Sequence, residues 1–159
     1  RLSHGGGHTG WSRAWIVNLY TRLGRGDMAW ENLLALWSRS TYPNFMDNHP
    51  LSHGTSVFQI DGNLGATAAM GEMLVQADGE RILLLAALPA AWRRGSVEGL
   101  RVPGNAAIDV AWRDGRLERC VIRSKSGIAT SLCYAGVTLP VALAPGATGV
   151  WEASDFSGI

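Results

Sequence analysis

The sequence has no long hydrophobic run, no basic cluster and only two cysteines. Its longest apolar stretch, ILLLAALPAAW at 82–92, is too short to span a bilayer and is interrupted by Pro89. Fourteen basic and thirteen acidic residues leave a formal charge of +1, without the basic stripe that nucleic acids and anionic membranes attract. Cys120 and Cys133 form neither a CxxC pair nor a disulfide framework, so we interpret them as small apolar residues on strands. We therefore expect no nucleic-acid partner and no membrane partner.

The composition is that of a packed globular protein. A length of 159 residues is enough for one ordinary domain or two small pieces of larger ones. Of these residues, 47% are hydrophobic and 17% are charged. The chain begins RLSHGGGHTGW, without an initiator Met or a signal-peptide pattern. We therefore expect a processed product or an excised piece of a longer protein, and the compartment stays open.

The first half of the chain has the periodicity of helices. Trp11, Trp15, Leu19 and Leu23 recur at four-residue spacing, which predicts an amphipathic helix over 11–23. A second helix reads MAWENLLALWSR, and a third, NLGATAAMGEMLVQ, has small residues that allow close packing on a neighbour. Because the Trp-rich and Gly/Ala-rich faces both need partners, we interpret the helical half as the end of something larger.

After the third helix the period changes to two. In AAIDVAW, the side chains of Ile108, Val110 and Trp112 share one face, and the following DG is a hairpin turn signal that lets LERCVIRS pair back. Further strands are predicted at 97–102, 128–134, 137–143 and 148–152. Their spacing is typical of an antiparallel sandwich.

The stretch FQIDGN places Asp61 between apolar residues. Phe58 and Ile60 suggest local burial, and a buried carboxylate must be paired, hydrogen-bonded or protonated. Asp61 therefore either caps a helix beginning near Asn63 or takes part in chemistry. On these residues alone the cap is the stronger interpretation, because Asp-Gly-Asn sequences are usually turns.

Three motifs occur in a recognisable order: GGGHTGWSRAW, then FQIDGN with its small-residue helix, then LPAAWRRGSVEGLRVPG. Together they resemble the C-terminal end of glycoside hydrolase family 95, whose members include α-L-fucosidases. The resemblance implies an α+β fold, with about three C-terminal helices of an (α/α)6 catalytic barrel in residues 1–78 and an antiparallel β-sandwich domain in residues 79–159. It implies hydrolysis of terminal α-linked fucose or a similarly configured sugar on an oligosaccharide or glycan. It also favours a secreted or periplasmic location.

The resemblance assigns Asp61 a catalytic role. Asp61 matches the acidic residue that supports the base side of an inverting hydrolysis, where it polarises an asparagine that positions the water. The general-acid Glu and the active-site asparagines of the family lie upstream of anything equivalent to Arg1. The isolated chain is therefore expected to be inactive and to have the upstream part of the same enzyme as its partner.

Three further residues are predicted to bind substrate. His8 is a candidate donor to a sugar hydroxyl, although a loop histidine that caps the Trp11 helix is an equal alternative. Trp11 could stack on the apolar face of a sugar ring, whereas Trp15 and other tryptophans at helical spacing are predicted to be core. Asn63, in the same motif as Asp61, completes the set.

Neither a metal site nor a cofactor is predicted. His4 with His8 and His49 with His53 form i, i+4 pairs, which could hold a metal in a helix. Three glycines separate the first pair and Pro50 interrupts the second, so neither pair is convincingly helical. GGGH is not a phosphate loop either, because the Lys and the preceding strand are both missing.

Two other functional classes stay open on the sequence. One is a non-catalytic carbohydrate-binding or assembly module, which an exposed row of Trp92, Trp112 and Trp151 would favour. The other is a phosphorylase or polysaccharide lyase of the broader (α/α)6 group. An uncovered helical surface would also favour self-association of the chain.

Overall fold

The computed structural model describes Ser3, residues 5–51 and residues 54–157. The chain divides into two compact units, Arg1–Met73 and Leu74–Ile159. The first unit is mainly helical and the second is built of strands. Within the described residues, no helix is long and apolar enough to cross a membrane.

In the described part of the first unit, three α-helices are joined by a short turn and a longer loop. They are α1 (Gly10–Arg22), α2 (Gly26–Arg39) and α3 (Ile60–Leu74). The loop before α3 contains a hairpin that the sequence patterns did not predict, formed by β1 (Asn48–Pro50) and β2 (Ser56–Phe58). Helix α3 begins three residues before its predicted start at Asn63, so the IDGN part of the FQIDGN motif forms its first turn, while Phe58 ends β2.

The apolar stripe of α1 is not in the core of this chain. Trp11, Trp15, Leu19 and Leu23 are between 47% and 71% exposed. The side of α1 that is buried carries smaller residues, namely Ser12, Ala14, Ile16, Val17 and Thr21. The prediction of Trp15 as a core residue is therefore wrong within this chain, because the smaller residues make the buried helix contacts.

Helix α3 approaches α1 closely, as its small residues suggest. A Cβ atom at Gly65 would lie 3.0 Å from the Ala14 Cβ, so the backbones meet with little side-chain bulk between them. The Asn18 side-chain amide donates to the carbonyl oxygens of Ala14 at 2.8 Å and Gly65 at 2.9 Å, which links the two helices. At the other end, Arg22 forms an ion pair with Glu72.

In the described residues of the second unit, eight strands form two four-stranded sheets. They are β3 (Val75–Ala77), β4 (Arg81–Leu84), β5 (Arg94–Val102), β6 (Ala106–Arg113), β7 (Arg116–Ser124), β8 (Ile128–Tyr134), β9 (Val137–Leu143) and β10 (Thr148–Glu152). The sheet orders are β10-β7-β6-β5 and β3-β4-β8-β9. All pairs are antiparallel except β4 with β8. This is the predicted sandwich with one parallel pair added.

The core of the sandwich follows the period-two pattern. On β6, Ile108, Val110 and Trp112 are buried with relative exposures of 0–6%, as their alternation predicts. The turn to β7 has positive φ at both Asp114 (51°) and Gly115 (73°), the backbone that an Asp-Gly hairpin adopts. Because Trp112 is buried, it does not contribute to an exposed aromatic row.

Candidate functional site

The first turn of α1 and the loop before it form one wall of an open cavity. Thr9 is the N-cap of α1, and its hydroxyl oxygen accepts a hydrogen bond from the Ser12 backbone N–H at 3.2 Å. Ser12 Oγ accepts in turn from the Gly7 backbone N–H at 2.9 Å, which folds the glycine loop onto the helix. The cavity has a volume of about 360 Å³ and is also lined by Trp11 and His49. This volume is in the range of small-ligand sites.

Two of the predicted substrate-binding residues, His8 and Trp11, line this cavity. His8 Nδ1 lies 2.8 Å from the Gly5 carbonyl oxygen. Because a carbonyl only accepts, Nδ1 carries the proton, and in the neutral ring Nε2 is left as an acceptor. Neutral His8 would therefore accept from a sugar hydroxyl, whereas the sequence-based expectation was a donor. The capping alternative for His8 is not what the structure shows, because Thr9 caps the helix.

Gln59 connects the start of α3 to the start of α1. Its side-chain Oε1 accepts a hydrogen bond from the Trp11 backbone N–H at 3.2 Å. Its own backbone carbonyl accepts from the Gly62 N–H at 3.3 Å, within the first turn of α3. The helix that carries Trp11 and the helix that carries Asp61 are therefore tied together at their N-terminal ends.

Asp61 is the second residue of α3 and is exposed. It is not an N-cap, because the helix already begins at Ile60. The expected local burial is also not found, since Phe58 is 47% and Ile60 is 52% exposed. Asp61 is thus an accessible acid in the first turn of α3.

A second carboxylate, Asp47, lies buried between the first turns of α1 and α3. Its relative exposure is 0%, and neither of its carboxylate oxygens makes a hydrogen bond with the part of the chain that the structure describes. Its carboxylate fills the space where Gly10 of α1 and Gly62 of α3 would carry a Cβ atom, so either methyl group would collide with it. Only glycine at both helix positions leaves room for this side chain.

The electrostatics of Asp47 reflect this enclosure. Burial raises the pKa of Asp47 from its ordinary value of 3.8 to about 6. The neighbouring backbone N–H of Asn48, which makes no fully formed hydrogen bond to the carboxylate, lowers this pKa; the negative charge of Asp61 raises it and His49 lowers it. Asp47 and Asp61 therefore interact electrostatically, and Asp47 changes its charge near pH 6.

Asn63, the third predicted substrate-binding residue, holds the loop that carries Asp47. Its side-chain Oδ1 accepts from the Asp47 backbone N–H at 2.7 Å, and its Nδ2 donates to the Phe45 carbonyl at 2.8 Å. The backbone carbonyl of Asp47 accepts from the Gln59 N–H at 3.2 Å. These three hydrogen bonds fix Asp47 against the first turn of α3.

The sequence did not indicate a role for Gln59, and it predicted Asp47 only as a polar loop residue that could line a pocket rim. The segment YPNFMDNHP has the composition of an ordinary polar loop, and nothing local marks its Asp as buried. The available signal was the pair of glycines, Gly10 and Gly62, each in the first turn of a helix. Glycine costs stability there, so it often indicates a close approach.

In the described residues, no group of three or more His, Cys, Asp or Glu side chains could hold a metal ion. His4 and His53, members of the two histidine pairs in the sequence, lie outside the described residues. The His49 Nδ1 lies 2.8 Å from the Pro50 carbonyl oxygen.

Sequence profiles of one family cover most of the chain. The profile described as glycosyl hydrolase family 95 catalytic domain matches residues 1–74. The profile described as glycoside hydrolase family 95, C-terminal domain, matches residues 76–148. The helical unit thus matches the profile of the catalytic domain, and the strand-rich unit matches that of the C-terminal domain. The chain belongs to glycoside hydrolase family 95, which confirms the resemblance inferred from the motifs.

Curated relatives of the chain are named as fucosidases. Alpha-L-fucosidase 2 of Arabidopsis thaliana is 32% identical over 149 residues, which cover 86% of this chain and 17% of the plant protein. Probable alpha-fucosidase A of Aspergillus niger is 36% identical over 110 residues, covering 61% of this chain and 13% of the relative. The protein of the same name in Aspergillus oryzae is 29% identical over 119 residues, covering 61% and 15%. This chain therefore spans only a small part of the length of these relatives.

Proposed function

We propose that this chain is the C-terminal part of an inverting glycoside hydrolase that removes terminal α-linked fucose, or a similarly configured sugar, from an oligosaccharide or glycan. Asp61 supplies the carboxylate on the base side of the reaction. His8, Trp11 and Asn63 contribute to substrate binding, His8 and Trp11 by direct contact. The relatives named as α-fucosidases support the sugar, and the position of Asp61 supports the role.

The observation that carries this proposal is the linkage between Asp61 and the cavity. The 3.2 Å hydrogen bond between Gln59 Oε1 and the Trp11 N–H joins the first turn of α3 to the helix that lines the cavity. Trp11 is 48% exposed and can offer a flat apolar face to a sugar ring. An inverting enzyme needs its base on the face of the sugar opposite the leaving group. The carboxyl groups of the acid and the base are then roughly 6.5 to 9.5 Å apart, which leaves room for the attacking water.

The general acid of this reaction comes from the upstream part of the enzyme. In this proposal, residues 1–78 form the last helices of an (α/α)6 barrel and residues 79–159 form the sandwich domain. The exposed stripe of α1, which includes Trp15 and Leu19, is then covered by preceding barrel helices. Without them, the same stripe favours self-association.

The test is a comparison of substrates with the complete enzyme that contains this chain. We expect turnover of nitrophenyl α-L-fucoside and of the α-L-galactoside, which differs from it by one hydroxyl group, but not of the β-L-fucoside. Proton NMR should show the β-anomer as the first product, because inversion changes the anomeric configuration. A first product of α configuration would contradict inversion, and the absence of turnover on both α-L-glycosides would contradict the substrate class. The 159-residue chain alone should be inactive.

A further inference from the structure

Three features that cost stability coincide where the helices of the candidate site begin. The first is the buried carboxylate of Asp47, whose oxygens lack hydrogen-bond partners among the described residues. The second is the pair of glycines in first helical turns, Gly10 and Gly62, which the carboxylate requires. The third is Phe45, whose φ of 63° lies in the left-handed region and whose carbonyl accepts from Asn63. Such local costs are characteristic of functional sites.

A neutral side chain would fill this space at a lower cost. An asparagine has nearly the shape of aspartate and carries no charge to desolvate. Packing alone therefore does not explain why the residue at this position is charged. Asp61 lies on the helix turn that Asp47 contacts, and its negative charge raises the pKa of Asp47. His49, on β1, lowers this pKa. On helix α1, Gly10 lies against the carboxylate.

We propose that Asp47 is a positioning residue for Asp61: its buried carboxylate, set between Gly10 and Gly62, holds the Asp61 side chain on the open side of the first turn of α3 by like-charge repulsion. This inference rests on the proposed role of Asp61 as the base-side carboxylate. The backbone of Asp47 is fixed by its hydrogen bonds to Asn63 and Gln59, so the repelling charge has a defined place.

The interaction has a defined dependence on pH. Because the pKa of Asp47 is about 6 in the folded protein and 3.8 ordinarily, the folded state holds more protons between these values. Stability therefore falls as the pH rises through this window, and Asp47 carries its full charge only above it. Positioning by the charge should accordingly be lost as the pH falls below about 6.

The main variant is Asp47→Asn in the complete enzyme, because it removes the charge and keeps the shape. We expect kcat for nitrophenyl α-L-fucoside to fall about tenfold to a hundredfold with little change in KM. The variant should also lose the change in kcat near pH 6. Its apparent melting temperature should match the parent at pH 4 and exceed it at pH 7.5 by a few degrees. Asp114→Asn, in an exposed turn of the other unit, is the control and should change none of these quantities.

A measurement without substrate separates this inference from the proposed function. In an Asp61→Asn background, Asp47→Asn should raise the melting temperature at pH 7.5 by less than it does in the parent, because part of the repulsion has already been removed. Equal gains in both backgrounds would overturn the coupling, and so would an Asp47→Asn enzyme with parental kcat at all pH values. If the parent hydrolyses no α-L-glycoside, the proposed function fails. The melting temperatures in the two backgrounds then test the interaction between Asp47 and Asp61 by themselves. Should Asp47→Asn not fold, Asp47→Ser replaces it in the same comparison of melting temperatures.

Discussion

The contact between Asp47 and Gly62 can be tested by a graded series on one helix. Gly62, Gly65 and Gly71 all lie in α3, but a Cβ atom at each would meet different surroundings. At Gly62 it would collide with the Asp47 carboxylate, at Gly65 it would lie 3.0 Å from the Ala14 Cβ, and at Gly71 it would meet nothing within 4 Å. Replacing each glycine by alanine therefore varies the contact while the helix is kept the same.

The expected free energies follow from two opposing terms. Alanine in a helix interior is more stable than glycine by about 1 kcal/mol, so Gly71→Ala should be stabilising by up to this amount. Overpacking of a filled site costs about 1–3 kcal/mol, which Gly62→Ala should show in addition. Gly62→Ala is thus expected to be less stable than Gly71→Ala by about 1–3 kcal/mol. Gly65→Ala should lie between them, because its neighbour has to yield only slightly.

The assay is urea unfolding of the 159-residue chain, followed by circular dichroism at 222 nm, which reports on the helical unit. With a slope of about 1–3 kcal/mol per M, the expected difference corresponds to a midpoint shift on the order of 1 M. Gly62→Ala combined with Asp47→Ala should be less destabilising than the sum of the single changes, because the new methyl group occupies vacated space. Equal midpoints for Gly62→Ala and Gly71→Ala would refute the close contact.

Three further outcomes are expected. Trp112→Phe should destabilise the sandwich by about 1–3 kcal/mol, because the buried indole donates from its N–H to the Trp92 carbonyl at 2.7 Å and phenylalanine would lose both this hydrogen bond and part of the buried ring; a thermal melt with unchanged midpoint would contradict this. Burial raises the pKa of Cys120 to about 12, so its thiol should not react with Ellman's reagent at pH 8 until the protein is unfolded; rapid native-state labelling of Cys120 would show that it is accessible. The exposed stripe of α1 should drive association of the isolated chain, so Trp15→Glu with Leu19→Lys should lower the mass measured by light scattering; a monomeric parent chain would count against it.

The strands of the second unit were accessible from the sequence because their signal is local. The alternation of Ile108, Val110 and Trp112 is set by neighbours two residues apart, and the Asp-Gly turn needs only two residues. Strands β3 and β4 were missed for the opposite reason. The segment VQA is very short, and ILLL is a continuous apolar run without alternation.

The candidate site depends on contacts that no local pattern contains. The apolar stripe of α1 correctly predicts a helix, but which face of that helix is buried depends on what packs against it, and within this chain Trp15 is 47% exposed. Asp47 is buried only because Gly10 and Gly62, far from it in the sequence, bring two helix turns together. The family motif pointed to Asp61, whereas the acid beside it becomes visible only in three dimensions.

The most direct measurement is the turnover of nitrophenyl α-L-fucoside by the complete enzyme with Asp61→Asn. A carboxylate that supports the base side of the reaction contributes about 10²–10⁴-fold, so kcat should fall by that factor with little change in KM. Asp114→Asn, in the same enzyme, should keep the parental kcat. An Asp61→Asn enzyme within a few-fold of the parent would contradict the catalytic assignment and leave Asp61 as an ordinary first-turn helix carboxylate.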